Sequence, residues 1–306
     1  MRKGPYFGQA LLMLRLIPHI SSEECFALKG GTAINLFLRD MPRLSVDIDL
    51  AYLPVDDERD KALTNIGNAL ARIAVAIKRA LPRAKIQEGR AHGSRRTSKL
   101  VVTNESTRII IEPNEVMRGA VWAPAERELT KRAEEMFELS VTARTLSTAD
   151  LYGGKICAAL DRQHPRDLFD IKVLLQNEGI TDEIRKAFVV YLACHDRPIS
   201  ELLNPAPKDL LKTYESEFAG MSGDNIGYVD LVAARDALVK TLLRDLTAAE
   251  KVFLVSIKEG QPKWDQLGLK GIEKLPAIQW KLMNIQKIKK DKHAESLSKL
   301  KEALGL

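Results

Sequence analysis

Three cysteines in 306 residues, Cys25, Cys157 and Cys194, are odd in number and widely spaced. That fits neither a disulfide framework nor a zinc-ligand set, and buried free thiols are expected. No run of eighteen or more apolar residues is present, so a membrane-crossing helix is not expected. Met1-Arg2-Lys3-Gly4-Pro5 leads into an amphipathic segment rather than the apolar core of a signal peptide, which points to a cytoplasmic protein with no membrane partner. Aromatic residues make up only 6% of the chain, too few for the stacking platforms of single-strand binders. A nucleic-acid partner would therefore be held mainly by phosphate contacts. Internal repeats are absent as well. What is there is a globular composition, 45% hydrophobic and 29% charged, enough for one large or two modest domains with real cores. A net charge of +6 and a pI near 9.1 permit a polyanionic partner without requiring one.

The chemistry is densest from Phe26 to Tyr52. Phe26-Ala27-Leu28 reads as a strand, Gly30-Gly31-Thr32 as a tight turn, and Ala33 to Arg39 as a helix with apolar residues at Ile34, Leu36, Phe37 and Leu38. Glycines at such a turn let backbone amides approach a ligand closely, and the opening turn of a helix suits a phosphate. Ser45 to Leu50 reads as a second strand. Alternation puts Asp47 and Asp49 on one face and Val46, Ile48 and Leu50 towards the core. Two like charges about 4 Å apart repel by roughly 4 kcal/mol at an effective dielectric near 20, so such a pair takes up a proton or recruits a cation. Oxygen-only ligands beside a glycine turn describe a Mg²⁺–nucleoside triphosphate site.

The succession Gly30-Gly31-Thr32, a short helix, then Arg43-x-Ser45-x-Asp47-x-Asp49 resembles the signature of the DNA polymerase beta-like nucleotidyltransferase superfamily. The version GGT…RxSxDIDL is typical of its abortive-infection toxin branch, the AbiEii/AbiGii type. The resemblance implies an α/β core with a mixed sheet, followed by an α-helical domain. It also implies a Mg²⁺-dependent transfer of a nucleoside monophosphate.

Along the rest of the chain, Gly8 to Ile20 reads as a helix ending near Pro18, and Glu58 to Leu81 as a long helix stopped by Pro82. The apolar face of that long helix carries Leu63, Ile66, Leu70, Ile73, Ile77 and Ala80. Ala84 to Gln87 reads as a strand. Arg90 to Arg96 is a basic loop, either solvated or in contact with phosphates. Leu100–Thr103 and Arg108–Ile111 flank Asn104-Glu105-Ser106-Thr107 as a β-hairpin. Its second strand ends at Glu112, which by the resemblance is the third metal-binding carboxylate; the wider superfamily more often has Asp there. Ala123 to Ala143 reads as a charged helix, and a domain boundary falls near residues 143–147, dividing the chain into 1–145 and 146–306.

Leu151 to Asp170 is a second constellation. Ser147-Thr148-Ala149-Asp150 has the spacing of a capping box, and Gly153-Gly154 inside the following helix imply close approach of another backbone or a ligand. Lys155, Ala159 and Arg162 share one helical face. Pro165 ends that helix near Gln163 and opens another, whose first turns carry Arg166, Asp167 and Asp170. The stretch resembles the branch's downstream motifs, a lysine, an arginine and then Arg-Asp-x-x-Asp. By that resemblance Lys155 and Arg162 bind the triphosphate, and one of Asp167 and Asp170 activates the acceptor hydroxyl or orients Lys155.

From Asp182 onward amphipathic helices follow, including Val229 to Leu246 and Ala248 to Lys258, with breaks at residues 204–207 and 221–225. Lys281, Lys287, Lys289, Lys290, Lys292, Lys299 and Lys301 make the tail basic, either as a solvated face or as a seat for RNA or an acidic partner.

These readings lead to one expectation. The catalytic set is Asp47, Asp49, Lys155, Asp167 and Asp170. Gly30, Gly31, Thr32, Ser45, Lys155 and Arg162 serve the nucleotide, and Asp47, Asp49 and Glu112 hold a two-metal Mg²⁺ site in the cleft between core and helical domain. The substrate is an NTP. By the resemblance the acceptor is the 3′ end of tRNA, the outcome a block of translation, and the partner a protein antitoxin. Two alternatives stay open, a nucleotidyltransferase acting on a small molecule such as an antibiotic or on a protein side chain, and a binding protein that holds nucleotide or RNA without turnover.

Overall fold

A computed structural model describes residues 6–90, 96–222 and 226–306. The chain forms two compact units. The first runs to Ser147 and takes in a return segment containing Met221 and Ser222; the second begins at Thr148, runs to Ala219 and resumes from Ile226 to Leu306.

In the first unit α1 (Tyr6–Ser21) buries Leu12, Met13, Leu14, Leu16, Ile17 and Ile20. Pro18 lies within its last turns rather than ending it, since a late proline forfeits only one hydrogen bond of the helix. Then come β1 (Phe26–Lys29), α2 (Gly30–Thr32), which runs on as a π-helical turn over Ala33–Leu38, and β2 (Ile48–Tyr52). They are followed by α3 (Arg59–Ala80), β3 (Lys85–Arg90), β4 (Thr97–Asn104), β5 (Thr107–Asn114), β6 (Ala125–Glu128), α4 (Lys131–Phe137) and β7 (Thr142–Thr145). The strands make one mixed sheet in the order β3-β4-β5-β2-β1-β7-β6. β1 pairs antiparallel with β2 and parallel with β7, and β2 pairs parallel with β5. Helix α3 buries Leu63, Ile66, Leu70, Ile73 and Ile77, three or four residues apart in alternation, as an amphipathic helix on a sheet must. β4 and β5 form the hairpin, turning at Glu105, whose φ is +53°.

Two further expectations are corrected. β2 begins at Ile48, so Asp47 stands just before the strand rather than inside it, and Val46 is only half-buried. Residues 123–143 are not one helix. They give β6, the short α4 and the approach to β7. Leu28 pairs with Thr145, and β7 thus fills the place beside β1 while β6 lies at the sheet edge with alternating exposure. Of the basic loop, residues 91–95 lie outside the described residues, as do residues 223–225 of the break at 221–225.

The second unit is helical: α5 (Thr148–Asp161), α6 (Pro165–Gln176), α7 (Asp182–Cys194), α8 (Ile199–Leu203), α9 (Leu211–Glu217), α10 (Tyr228–Asp245), α11 (Ala248–Glu259), α12 (Pro276–Gln286) and α13 (Lys290–Ala303). The glycine pair of α5 is explained by α7. A Cβ on Gly153 would stand 2.7 Å from Ala187 Cβ and 2.9 Å from the Phe188 amide nitrogen. The neighbour that Gly153 admits is therefore another backbone. Asp150 is buried and accepts the Tyr191 hydroxyl at 3.1 Å. The three cysteines are free thiols; Cys157 and Cys194 are buried, and burial pushes both thiols up.

Candidate active site

Sheet register assembles a row of charged side chains in the first unit. Asp49 of β2 lies opposite Lys29 of β1 on one side and Glu112 of β5 on the other. Residues in register on neighbouring strands project to the same face, so Asp49 and Glu112 share it. Lys29, Asp49, Glu112, Ser98, Pro113, Asn114 and Glu115 line an open depression of about 500 Å³. Glu112 lies 3.6 Å from Lys99, and Glu115 is held by Arg96 at 2.6 Å. Asp47, two residues before Asp49, is exposed while the intervening Ile48 is buried, which keeps the two aspartates on the alternating pattern.

The glycines make room for this face. Gly30 has φ +71°, and a Cβ there would meet Asp49 Oδ2 at 2.7 Å. A Cβ on Gly31 would meet Arg43 Nη2 at 2.7 Å and Ser45 Oγ at 3.1 Å. Arg43 and Ser45 are both buried, with Arg43 Nη1 donating to the Leu44 carbonyl at 2.9 Å. Arg43 also bridges to Ser222 of the return segment, and the Leu44 amide donates to the Met221 carbonyl. Thr32 turns inward. Its hydroxyl donates to the Asp47 carbonyl at 2.6 Å and shares a hydrogen bond with Ser45 at 3.0 Å.

The second constellation folds into a buried ion cluster in the second unit. Lys155 Nζ lies 3.0 Å from Asp167 Oδ1 and 2.9 Å from Asp170 Oδ2, with the lysine 6% exposed. Arg162 donates to both oxygens of Asp167, Nε at 2.5 Å and Nη2 at 3.0 Å, and its own side chain is 63% exposed. Burial alone would raise the Asp167 carboxyl. The charges of Lys155 and Arg162 outweigh it and hold the group well below the usual carboxylate range. Helix α6 opens as its Pro165 implies, with His164 as N-cap. His164 Nδ1 accepts the Arg166 amide at 3.1 Å, so the ring proton sits on Nε2, 3.0 Å from Glu217.

The sequence reading missed the other residues of the depression, Lys29, Ser98, Asn114 and Glu115. A signal existed for Lys29, which precedes the glycine pair, and for Asn114, two residues on from Glu112 along the same strand face. Ser98 and Glu115 enter through hairpin register and a loop, which periodicity does not reveal. Lys281, counted with the basic tail, is instead half-buried. Its ammonium donates to the carbonyls of His195 at 2.6 Å and Arg197 at 3.1 Å beyond the end of α7, and burial followed by the Lys258 charge lowers its pKa to about 8. Lys287, Lys289, Lys290 and Lys292 are exposed.

Among the described residues no group of three or more His, Cys, Asp or Glu side chains closes into a cation cage. The carboxylate face nonetheless offers a fitting donor set. Its carboxylates carry oxygen donors only, Asp49 and Glu112 are register partners, and the absent side chain of Gly30 leaves the space that Asp49 Oδ2 occupies. No helix of the described residues is long and apolar enough to cross a membrane.

Comparison with known proteins agrees with this architecture. The fold is similar to the nucleotidyltransferase toxin MenT4 of Mycobacterium tuberculosis H37Rv, with a TM-score of 0.60 at 14% identity, covering 91% of this chain and 92% of that one. JHP933 of Helicobacter pylori matches at a TM-score of 0.42 and 18% identity, over 77% of this chain and 94% of that one. No curated protein matches the sequence. The model of the nucleotidyl transferase AbiEii toxin family, from type IV toxin–antitoxin systems, matches residues 11–284. The chain therefore belongs to the AbiEii family and is a nucleotidyltransferase toxin of a toxin–antitoxin system.

Proposed function

We propose that the protein transfers a nucleoside monophosphate from an NTP to the 3′-terminal hydroxyl of tRNA, releasing pyrophosphate and so blocking translation. The observation that carries the reading is the carboxylate face, where Asp49 and Glu112 stand in register beside a glycine whose Cβ would collide with Asp49. Asp47, Asp49 and Glu112 would hold Mg²⁺. The ion, when bound, neutralises triphosphate charge and favours the attacking oxygen. The amides of Gly30 and Gly31 approach the phosphates. Their lack of side chains is what lets Asp49, Arg43 and Ser45 close on the turn and hold it in place.

Lys155 and Arg162 supply fixed positive charge for the triphosphate. Asp167 and Asp170, both on the Lys155 ammonium and both buried, orient that lysine rather than take the acceptor's proton. Such a preorganised cation costs no reorganisation when charge develops on the departing pyrophosphate. The acceptor follows from the family resemblance, and the net charge of +6 suits a polyanion. A cognate antitoxin is implied by the family.

The acceptor is tested by offering total tRNA with an intact or a periodate-oxidised 3′ end, together with Mg²⁺ and each α-labelled NTP. Label on intact tRNA and none on oxidised tRNA is expected. Equal labelling of both would move the acceptor away from the 3′ hydroxyl, and label on protein alone would replace RNA as the substrate.

A further inference from the structure

Thr32 belongs to the glycine turn proposed to serve the nucleotide, yet its side chain is packed into the protein interior. It is 1% exposed. Its Oγ1 lies 2.6 Å from the Asp47 carbonyl oxygen, 3.0 Å from Ser45 Oγ and 3.4 Å from Met13 Sδ of α1. A carbonyl only accepts, so the single hydroxyl proton of Thr32 is committed to Asp47.

Asp47 stands one residue before β2 begins, outside the register that β2 makes with β1 and β5. Asp49, by contrast, is fixed by ladder partners on both sides. A residue outside the ladder owes its aim to other contacts, and the Thr32 hydroxyl is one that ties the backbone of Asp47 to α2.

We infer that Thr32 is a positioning residue for Asp47, acting through the Asp47 carbonyl, and that its hydroxyl does not touch the nucleotide. The inference rests on the reading of Asp47 as a metal ligand. Groups that orient a ligating residue typically change metal affinity 10–100-fold when removed, which sets the size of the effect at roughly tenfold or more.

The test compares wild type with Thr32→Val, which keeps the shape and lacks the hydroxyl, with Thr32→Ser, which keeps the hydroxyl, and with Asp47→Asn. Mn²⁺ binding is read by electron paramagnetic resonance, alongside kcat, the NTP KM and the Tm. Thr32→Val is expected to weaken Mn²⁺ binding roughly tenfold or more and to lower kcat with the NTP KM unchanged, and Thr32→Ser to restore both. Should Thr32→Val not fold, Thr32→Cys against Thr32→Ser carries the same comparison, because a thiol is a weak donor. A raised NTP KM at wild-type Mn²⁺ affinity would put the hydroxyl on the nucleotide and overturn the inference. Wild-type Mn²⁺ binding in Thr32→Val with loss in Asp47→Asn would overturn the inference alone. Wild-type binding in Asp47→Asn would remove Asp47 from the metal site and take the inference with it.

Discussion

Lys155, proposed to serve the triphosphate, also holds a buried ion cluster, so its effects on activity and on folding must be separated. Its ammonium is 6% exposed between Asp167 and Asp170, so Lys155→Met leaves two buried carboxylates without that charge. Breaking a buried ion cluster this way costs roughly 3–5 kcal/mol, visible in urea unfolding of the variant. Unchanged stability would mean that solvent reaches the cluster. The depressed carboxyl of Asp167 fixes a sign as well. Its stabilisation is fully present above its unfolded pKa near 3.9 and is lost as pH falls from there towards the folded value, which is lower. Urea unfolding at pH 5 and at pH 3 should therefore show a loss for wild type that is smaller in Asp167→Asn. Charge and spacing marked Asp47 and Asp49, and placed Lys155 with Arg162 and Asp167 with Asp170, four residues that the structure brings into one cluster; the roles proposed for them came from the resemblance. The inward turn of Thr32 was not, since only the closing of α2 onto the approach to β2 decides where its hydroxyl points.

At the scale of elements, legibility followed periodicity. Helices α3, α10 and α11 were read to within a residue or so at each end, their apolar stripes and breaks being explicit. β6 and β7 were missed. Each is four residues long, Ala-Glu-Arg-Glu and Thr-Ala-Arg-Thr, so charge hides a strand whose partners are set by the sheet rather than by its own composition. The glycine pair of α5 was noticed, but what it admits was left open between a backbone and a ligand. The structure answers with α7, and this makes a prediction. Gly153→Ala drives a Cβ into Ala187 and the Phe188 amide, and should destabilise the fold by about 1–3 kcal/mol through overpacking. Gly154→Ala, whose Cβ would meet Tyr191 at 3.4 Å, should cost less by the same thermal-unfolding measurement. Helix propensity alone would favour alanine at both positions, so equal losses would mean that the close approach of α7 is not what selects glycine at Gly153.

For the whole molecule, the fold class and the kind of chemistry were legible through the family resemblance that the glycine turn and the acidic strand carry, whereas the order of the mixed sheet leaves no local signature. Basic charge was a weaker guide. Lys281 is spent on carbonyls beyond α7, and Lys299 pairs with Glu295 at 2.7 Å, so the lysine count of the tail overstates the charge open to a partner. Lys287, Lys289, Lys290 and Lys292 remain as the exposed set. The central claim is that the carboxylate face of the sheet performs nucleotidyl transfer. The most direct test is to incubate purified wild type and Asp49→Ala with Mg²⁺, total tRNA and each α-labelled NTP in turn, and to measure label on RNA together with released pyrophosphate. Both should appear with wild type, and both should fall by on the order of 10²-fold or more in the variant. Undiminished transfer by a folded Asp49→Ala protein would contradict the claim.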